Sequence, residues 1–283
     1  MNSKVKNSLI STHLFRYLLF FVFLTTFTSP LLAQGDLLIY PKRVVFEGRN
    51  NIKKLTLANT GKDTAVYTIS FLEYKMNEDG SLKIISESEE GLNFASSNVR
   101  FFPRKVVLAS GEAQTVKVQI RNTQNLTDGE YRSHLYFRAE EDKKPLGQTS
   151  KKKDSTISVQ LKAVFGIAIP CIIRKGDNTT TVAISDLQFV KEKNTSYELQ
   201  FKLNRNGNMS TYGDFTINYI TTDNVDYEVA KMKGVGVYTP GNLRTMKIKL
   251  NKPAAINFIG GYFKIFFTQN ESKKVLTEAI LKL

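Results

Sequence analysis

Cysteine is nearly absent: Cys171 is the only one in 283 residues, and histidine occurs twice. A single cysteine excludes an intrachain disulfide, so stability must come from packed apolar side chains even in an oxidising compartment. Beside Pro170 in an apolar run, this thiol reads as a small buried hydrophobe rather than a nucleophile. Outside the N-terminal segment discussed next, His134 is the only histidine. That excludes a multi-histidine metal site and leaves a Ser or Cys triad without its usual base. His134 itself is expected as a partly exposed strand residue. The neighbouring acids Glu140 and Glu141 are expected in a charged loop, whereas catalysis needs positioned groups. The expectation is therefore no catalytic residue, no metal, no cofactor and no enzyme. Long helical periodicity is missing too, and no run after residue 33 is long and apolar enough to span a bilayer, so no stable membrane insertion is expected.

What is present begins with Lys4, Lys6 and Arg16, an apolar stretch from Tyr17 to Phe27, and the small residue Ala33. This is the pattern of a secretory signal peptide, with cleavage expected after Ala33 and export to the periplasm. Leu31 is large for its place two residues before that bond, and an uncleaved N-terminal anchor is the alternative. Removing residues 1–33 leaves 37 basic residues against 26 acidic ones, a net charge of +11. Basic charge invites a nucleic-acid partner, but an exported protein meets little nucleic acid and the charges are spread along the chain. They read as solubilising surface, with attraction to acidic clients as a second use.

From Leu37 onward, short runs rich in Val, Ile, Thr, Phe and Tyr alternate with Gly, Asn and Asp clusters. Leu55 and Leu57 alternate with Thr56 and Ala58, and Val116, Val118 and Ile120 with Lys117, Gln119 and Arg121. Each set predicts a strand with one buried face. Residues 59–63, 77–80 and 110–111 carry turn chemistry between them. Regular strands joined by such turns predict an all-β chain of two immunoglobulin-like sandwiches in tandem. Asp128-Gly129-Glu130-Tyr131, opening the run from Tyr131 to Ala139, resembles a tyrosine corner, in which the hydroxyl returns to upstream backbone.

The charged segment from Glu140 to Asp154 predicts a surface loop. After it, Ile157, Val159, Leu161, Ala163, Phe165, Ile167 and Ile169 recur with period two, predicting one long strand that ends at Pro170. Its other face turns apolar from Ala163, which predicts burial on both sides near the domain junction. Residues 174–181 read as a linker. The expected division is a leader at 1–33, a first domain at 34–174 and a second at 175–283. Strands of the second are expected at 182–190, 197–203, 215–220, 243–250, 262–268 and 275–283.

Three stretches resemble the periplasmic pilus-chaperone family: Lys42-Arg43-Val44-Val45-Phe46-Glu47-Gly48, then Phe102 to Gly111 leading into Val116-Lys117-Val118, then Gly129 to Phe137. Their order, their spacing and the leader carry the likeness. It implies a protein that binds strand-deficient pilus-like subunits and completes their sheets with its own long strand, with an outer-membrane usher as a candidate second partner. In this chain the resemblance puts Ile157, Val159, Leu161, Ala163 and Phe165 in the client's groove. It makes Arg43 the anchor for the client's terminal carboxylate. The family pairs that Arg with a Lys on the long strand, and this sequence departs there. Counting along the strand puts Phe165 or Gly166 at the Lys position, Lys162 falls on the opposite face, and Lys175 is one possible replacement. A secreted or surface immunoglobulin-like module for adhesion, carbohydrate binding or structural contacts is the competing reading.

Overall fold

The computed structural model describes residues 36–87, 89–140, 164–191, 196–254, 256–270 and 272–283. Alternation decides the first sandwich. β1 (Leu37–Tyr40), β3 (Ile52–Asn59), β8 (Ala113–Ile120) and β6 (Val99–Phe102) form one sheet in the order β1-β3-β8-β6. The facing sheet runs β2 (Val44–Phe46), β10 (Gly166–Lys175), β9 (Gly129–Ala139), β4 (Ala65–Met76), β5 (Leu82–Ile85), with β7 (Lys105–Leu108) also paired to β4. Leu55, Leu57, Val116 and Val118 turn inward and are fully buried, as their spacing predicts, against Phe46, Leu108, Leu135 and Phe137 of the facing sheet. Cys171 lies in the same core, where burial, then the nearby Glu73, pushes its thiol up to about 12.

The turns carry their share. The Asn59 side chain, buried at the end of β3, donates to the carbonyls of Asp63 at 2.7 Å, Leu108 at 3.0 Å and Ala109 at 3.2 Å, and accepts from the Gly61 amide at 2.9 Å. Truncating it would strand buried carbonyls. Asn59→Ala is expected to lower the unfolding free energy by about 1–2 kcal/mol. Urea denaturation measures this, and an unchanged midpoint would show that the carbonyls find water instead. The predicted tyrosine corner is present: the Tyr131 hydroxyl accepts from the Thr127 amide at 3.0 Å and donates back to the Thr127 carbonyl at 3.3 Å.

The second sandwich faces a sheet β11-β12-β15 against a sheet β14-β13-β16-β17. Its strands are β11 (Thr181–Lys191), β12 (Tyr197–Asn206), β13 (Thr211–Ile220), β14 (Asp226–Val237), β15 (Leu243–Leu250), β16 (Tyr262–Gln269) and β17 (Val275–Lys282). Phe201, Phe215, Phe263 and Phe267 fill the middle of a core separate from the first. Six of these strands fall where the sequence predicts them, and β14 was missed. Charges and two glycines break its alternation, and register shifts at Gly213/Phe215 and Ile217/Asn218 interrupt its pairing with β13; a bulge changes which side faces inward.

Two other expectations are corrected. Pro170 does not end its strand: β10 continues to Lys175. The reason lies in the ladder. The Ala139 amide donates to the Phe165 carbonyl at 2.9 Å, and residues 166–175 pair in register with β9. Hydrogen-bonded pairs alternate in such a ladder. The odd-numbered residues of β10 therefore bond to β9, and the even-numbered ones turn their backbone to the other edge. Proline's missing N–H falls on that edge, where it costs no bond with β9. His134 is buried, at 4% exposure, rather than partly exposed. It meets the Tyr74 ring edge to face, with the centroids 4.7 Å apart.

Candidate cleft site

Glu130 and Arg132 of β9 and Arg174 of β10 stand on the face of the first sandwich that meets the second. The parallel register of β2 on β10 begins with Val44 opposite Cys171. One step earlier on each strand stand Arg43 and Pro170, and β9 places His134 opposite Pro170, Arg132 opposite Ile172 and Glu130 opposite Arg174. Three strands thus align Arg43, Pro170 and His134 in one row, Val45, Ile172 and Arg132 in the next, and Glu47, Arg174 and Glu130 in the third.

Glu130 organises the third row. It is 2% exposed, and its carboxylate accepts from Arg132 Nη2 at 2.8 Å, Arg174 Nε at 3.1 Å and the Ser210 amide at 3.1 Å. Ser210 belongs to the second sandwich; its hydroxyl also donates to Glu130 and accepts from the Thr239 amide at 3.0 Å. Burial alone would raise the Glu130 carboxyl, but Arg132, Arg174 and Ser210 outweigh it and hold the carboxyl down at about 2. A second link joins the sandwiches at the β4–β5 hairpin, where the Thr245 amide donates to the Glu78 carbonyl at 2.7 Å. Gly80 of that turn has φ +84, and a Cβ there would lie 2.3 Å from the Arg244 guanidinium. Glycine alone meets both conditions.

Arg43 is half-buried. Its guanidinium lies 3.9 Å over the Tyr212 ring, and its Nε is buried without a hydrogen-bond partner. Burial, then the nearby Arg132, lowers its pKa. Arg132 stacks 3.7 Å from the Tyr238 ring, with Nε and Nη1 buried and unpartnered. His134 Nδ1 is unpartnered too, and burial, with Arg132 beside it, pushes the imidazole down to about 3, so it is neutral. The cleft therefore presents cations and spare donors, the complement of a bound anion.

Solved fimbrial chaperones are similar to this chain. The crystal structure of the YadV chaperone matches at 11% identity and a TM-score of 0.45, covering 88% of this chain and 100% of that one. The class 5 fimbriae chaperone CfaA matches at 16% identity and a TM-score of 0.42, covering 87% of this chain and 98% of that one. A chaperone–tip adhesion subunit pre-assembly complex, CsuC–CsuE from the archaic chaperone-usher Csu pili of Acinetobacter baumannii, matches at 15% identity and a TM-score of 0.42, covering 88% and 98%. No protein-family model matches the sequence, and no curated protein does.

Of the residues singled out from sequence, Arg43 reaches the cleft. Ile157, Val159, Leu161, Ala163 and Lys162 lie outside the described residues. Phe165 precedes β10, is 42% exposed, and stands five residues before Pro170. At about 3.3 Å per residue, neither it nor Gly166 is level with Arg43. Both countings for the missing Lys were therefore displaced, and the residue beside Arg43 is Pro170. Lys175 does not replace it. Its ammonium donates to the Gln124 carbonyl at 2.9 Å and to the Leu126 carbonyl, closing the turn before β9. Glu130, Arg132, Arg174 and Ser210 were missed, although polar Glu130, Arg132 and His134 recurring at every second place of a strand was a readable signal.

Proposed function

We propose that this chain is a periplasmic chaperone that stabilises strand-deficient pilus- or fimbria-like subunits by donor-strand complementation, as a binding protein and not an enzyme. One observation carries the reading. Among the described residues, the second edge of β10 is paired only over Cys171–Ile173, and the unpaired stretch before it runs up to Arg43. There Gly166 and Ala168 turn both backbone groups, and Pro170 its carbonyl, away from β9. A client strand laid along this edge would find main-chain partners until β2 blocks it, and its terminal carboxylate would then meet Arg43.

The odd-numbered row supports the same reading. Ile169 is buried and Ile167 packs against the first core, while Phe165 is exposed. The row thus leaves this chain's own core at Phe165. Its continuation through Ala163, Leu161, Val159 and Ile157 is assigned to the client's apolar groove. With this reading go export on the leader 1–33, domains at 34–174 and 175–283, and an usher as a further partner.

The test is co-purification of clients with the mature protein from a periplasmic extract. Val159→Glu with Leu161→Glu forces charge into an apolar groove, a desolvation cost that the backbone ladder does not offset. Client recovery is expected to fall at least tenfold, while Ser158→Ala with Gln160→Ala, on the alternate face, leaves it unchanged. A folded double-Glu variant that recovers clients at the wild-type level would overturn donation by this segment.

A further inference from the structure

We propose that Arg132 is the second cation of the cleft, so that the anion seat is a pair of guanidiniums, Arg43 from the approach to β2 and Arg132 from β9. The inference rests on the reading of the cleft as the seat of a client's terminal carboxylate, and it names what stands in place of a lysine on the long strand.

Four observations lead to it. First, the position beside Arg43 on β10 is Pro170, which brings no charge; the next cation inward on this face is Arg132, opposite Ile172 on β9. Second, Arg132 is 7% exposed, yet Nε and Nη1 have no partner, and Arg43 Nε has none either. Buried guanidinium donors without acceptors are costly, and a carboxylate supplies acceptors for them in planar geometry. Third, the local charge is unbalanced. Glu130 is the buried carboxylate of the cluster, and it is shared among Arg132, Arg174 and Ser210; Glu47 approaches only Arg174, at 3.6 Å, from an exposed position. Fourth, one ladder of the second sandwich holds both guanidiniums. Tyr212 covers Arg43, and Tyr238 follows Val237, the β14 partner of Thr211.

The two arginines differ in access. Arg43 is the more exposed, so an arriving carboxylate meets it first, and a small shift of the Tyr238 ring opens Nη1 or Nε of Arg132 to one of its oxygens. The Glu130 bond holds Arg132 at Nη2 and leaves Nε and Nη1 each without an acceptor. Like charge between the two arginines is tolerated because both lie against aromatic faces. The bound anion relieves the repulsion, which favours a charged carboxylate over its neutral amide.

The experiment uses the mature protein and two small probes, N-acetyl-dialanine with a free carboxylate and the same compound as its C-terminal amide. Arginine Nε–H resonances are followed by NMR and assigned with Arg43→Lys and Arg132→Lys. The expected result is that the Arg43 and Arg132 signals move together along one saturable curve with the acid and stay still with the amide. Each Lys variant, which keeps the charge but loses the planar fork, is expected to weaken acid binding about tenfold. Movement of Arg43 alone in the wild-type protein, or wild-type affinity in a folded Arg132→Lys, would overturn the role of Arg132 and leave Arg43 as a lone anchor. If neither signal moves, the guanidinium pair is overturned, and the Val159 and Leu161 variants still decide separately whether the chain is a strand donor. The wild-type titration stands even if the Arg132 variant does not fold.

Discussion

Replacing Glu130 with Gln is expected to lower the unfolding free energy by about 3 kcal/mol or more, the cost of leaving buried charge without its counter-ion. The substitution keeps size and shape, removes the charge and turns one of the two accepting oxygens into a donor. Arg132 and Arg174 then face each other across a neutral amide, and Ser210 of the second sandwich loses a charge-assisted acceptor. The effect should therefore appear at both levels, as a lower urea midpoint and as looser coupling between the sandwiches seen by small-angle scattering. The same carboxylate sets part of the acid response. Its folded pKa, about 2, lies below the ordinary 4.5, so its stabilisation is complete above pH 4.5 and is lost as pH falls towards 2. By linkage that interval amounts to about 3 kcal/mol. A Glu130→Gln protein as stable as the wild type would show that the contacts around it are spectators.

His134 should produce an acid response at milder pH. Neutral in the fold, with a pKa near 3 against an ordinary 6.5, it takes up its proton more readily when the chain unfolds. Its contribution is whole above pH 6.5 and is lost as pH falls through the window from 6.5 to 3. The loss is about 2 kcal/mol by pH 5 and about 4 kcal/mol by pH 3. The groups around it are Arg132, two places along β9, Tyr74 edge to face with its ring, and Pro170 and Leu72 opposite on the flanking strands. None offers a negative charge that would hold an imidazolium. Glu73, whose carboxyl burial raises, works in the opposite sense and softens the loss at low pH. Urea unfolding of wild type and His134→Gln at pH 7 and pH 5 separates these contributions. The wild type should lose the roughly 2 kcal/mol and the variant little of it. Parallel losses in both proteins would place the acid response elsewhere.

Periodicity made much of the fold legible. Leu55, Leu57, Val116 and Val118 announced their buried faces, and Tyr131 announced the corner that it closes. Where the readings failed, the deciding contact was distant in sequence. β14 was hidden because bulges break the period on which strand recognition depends. His134 was placed near the surface because nothing in its own strand reveals Tyr74, which β4 brings against it. The missing Lys was sought at Phe165 and Gly166 because counting along one strand ignores register. Only the pairing of β2 with β10 shows that Pro170 is the residue level with Arg43.

By itself, the sequence determined the class of the molecule: an all-β chain without disulfides, two sandwiches, one long period-two row, and an arginine before a short first-sandwich strand. These are properties of neighbouring residues, and side-chain alternation writes them directly into the chain. The tertiary structure alone decided which charges meet. Arg43 comes from the approach to β2, Arg132 and Glu130 from β9 and Arg174 from β10, and Tyr212, Tyr238 and Ser210 from the other sandwich. The lowered carboxyl of Glu130 and the unpartnered donors of Arg43 and Arg132 follow from strand register and from the burial that one sandwich imposes on the other, neither of which exists until both have folded.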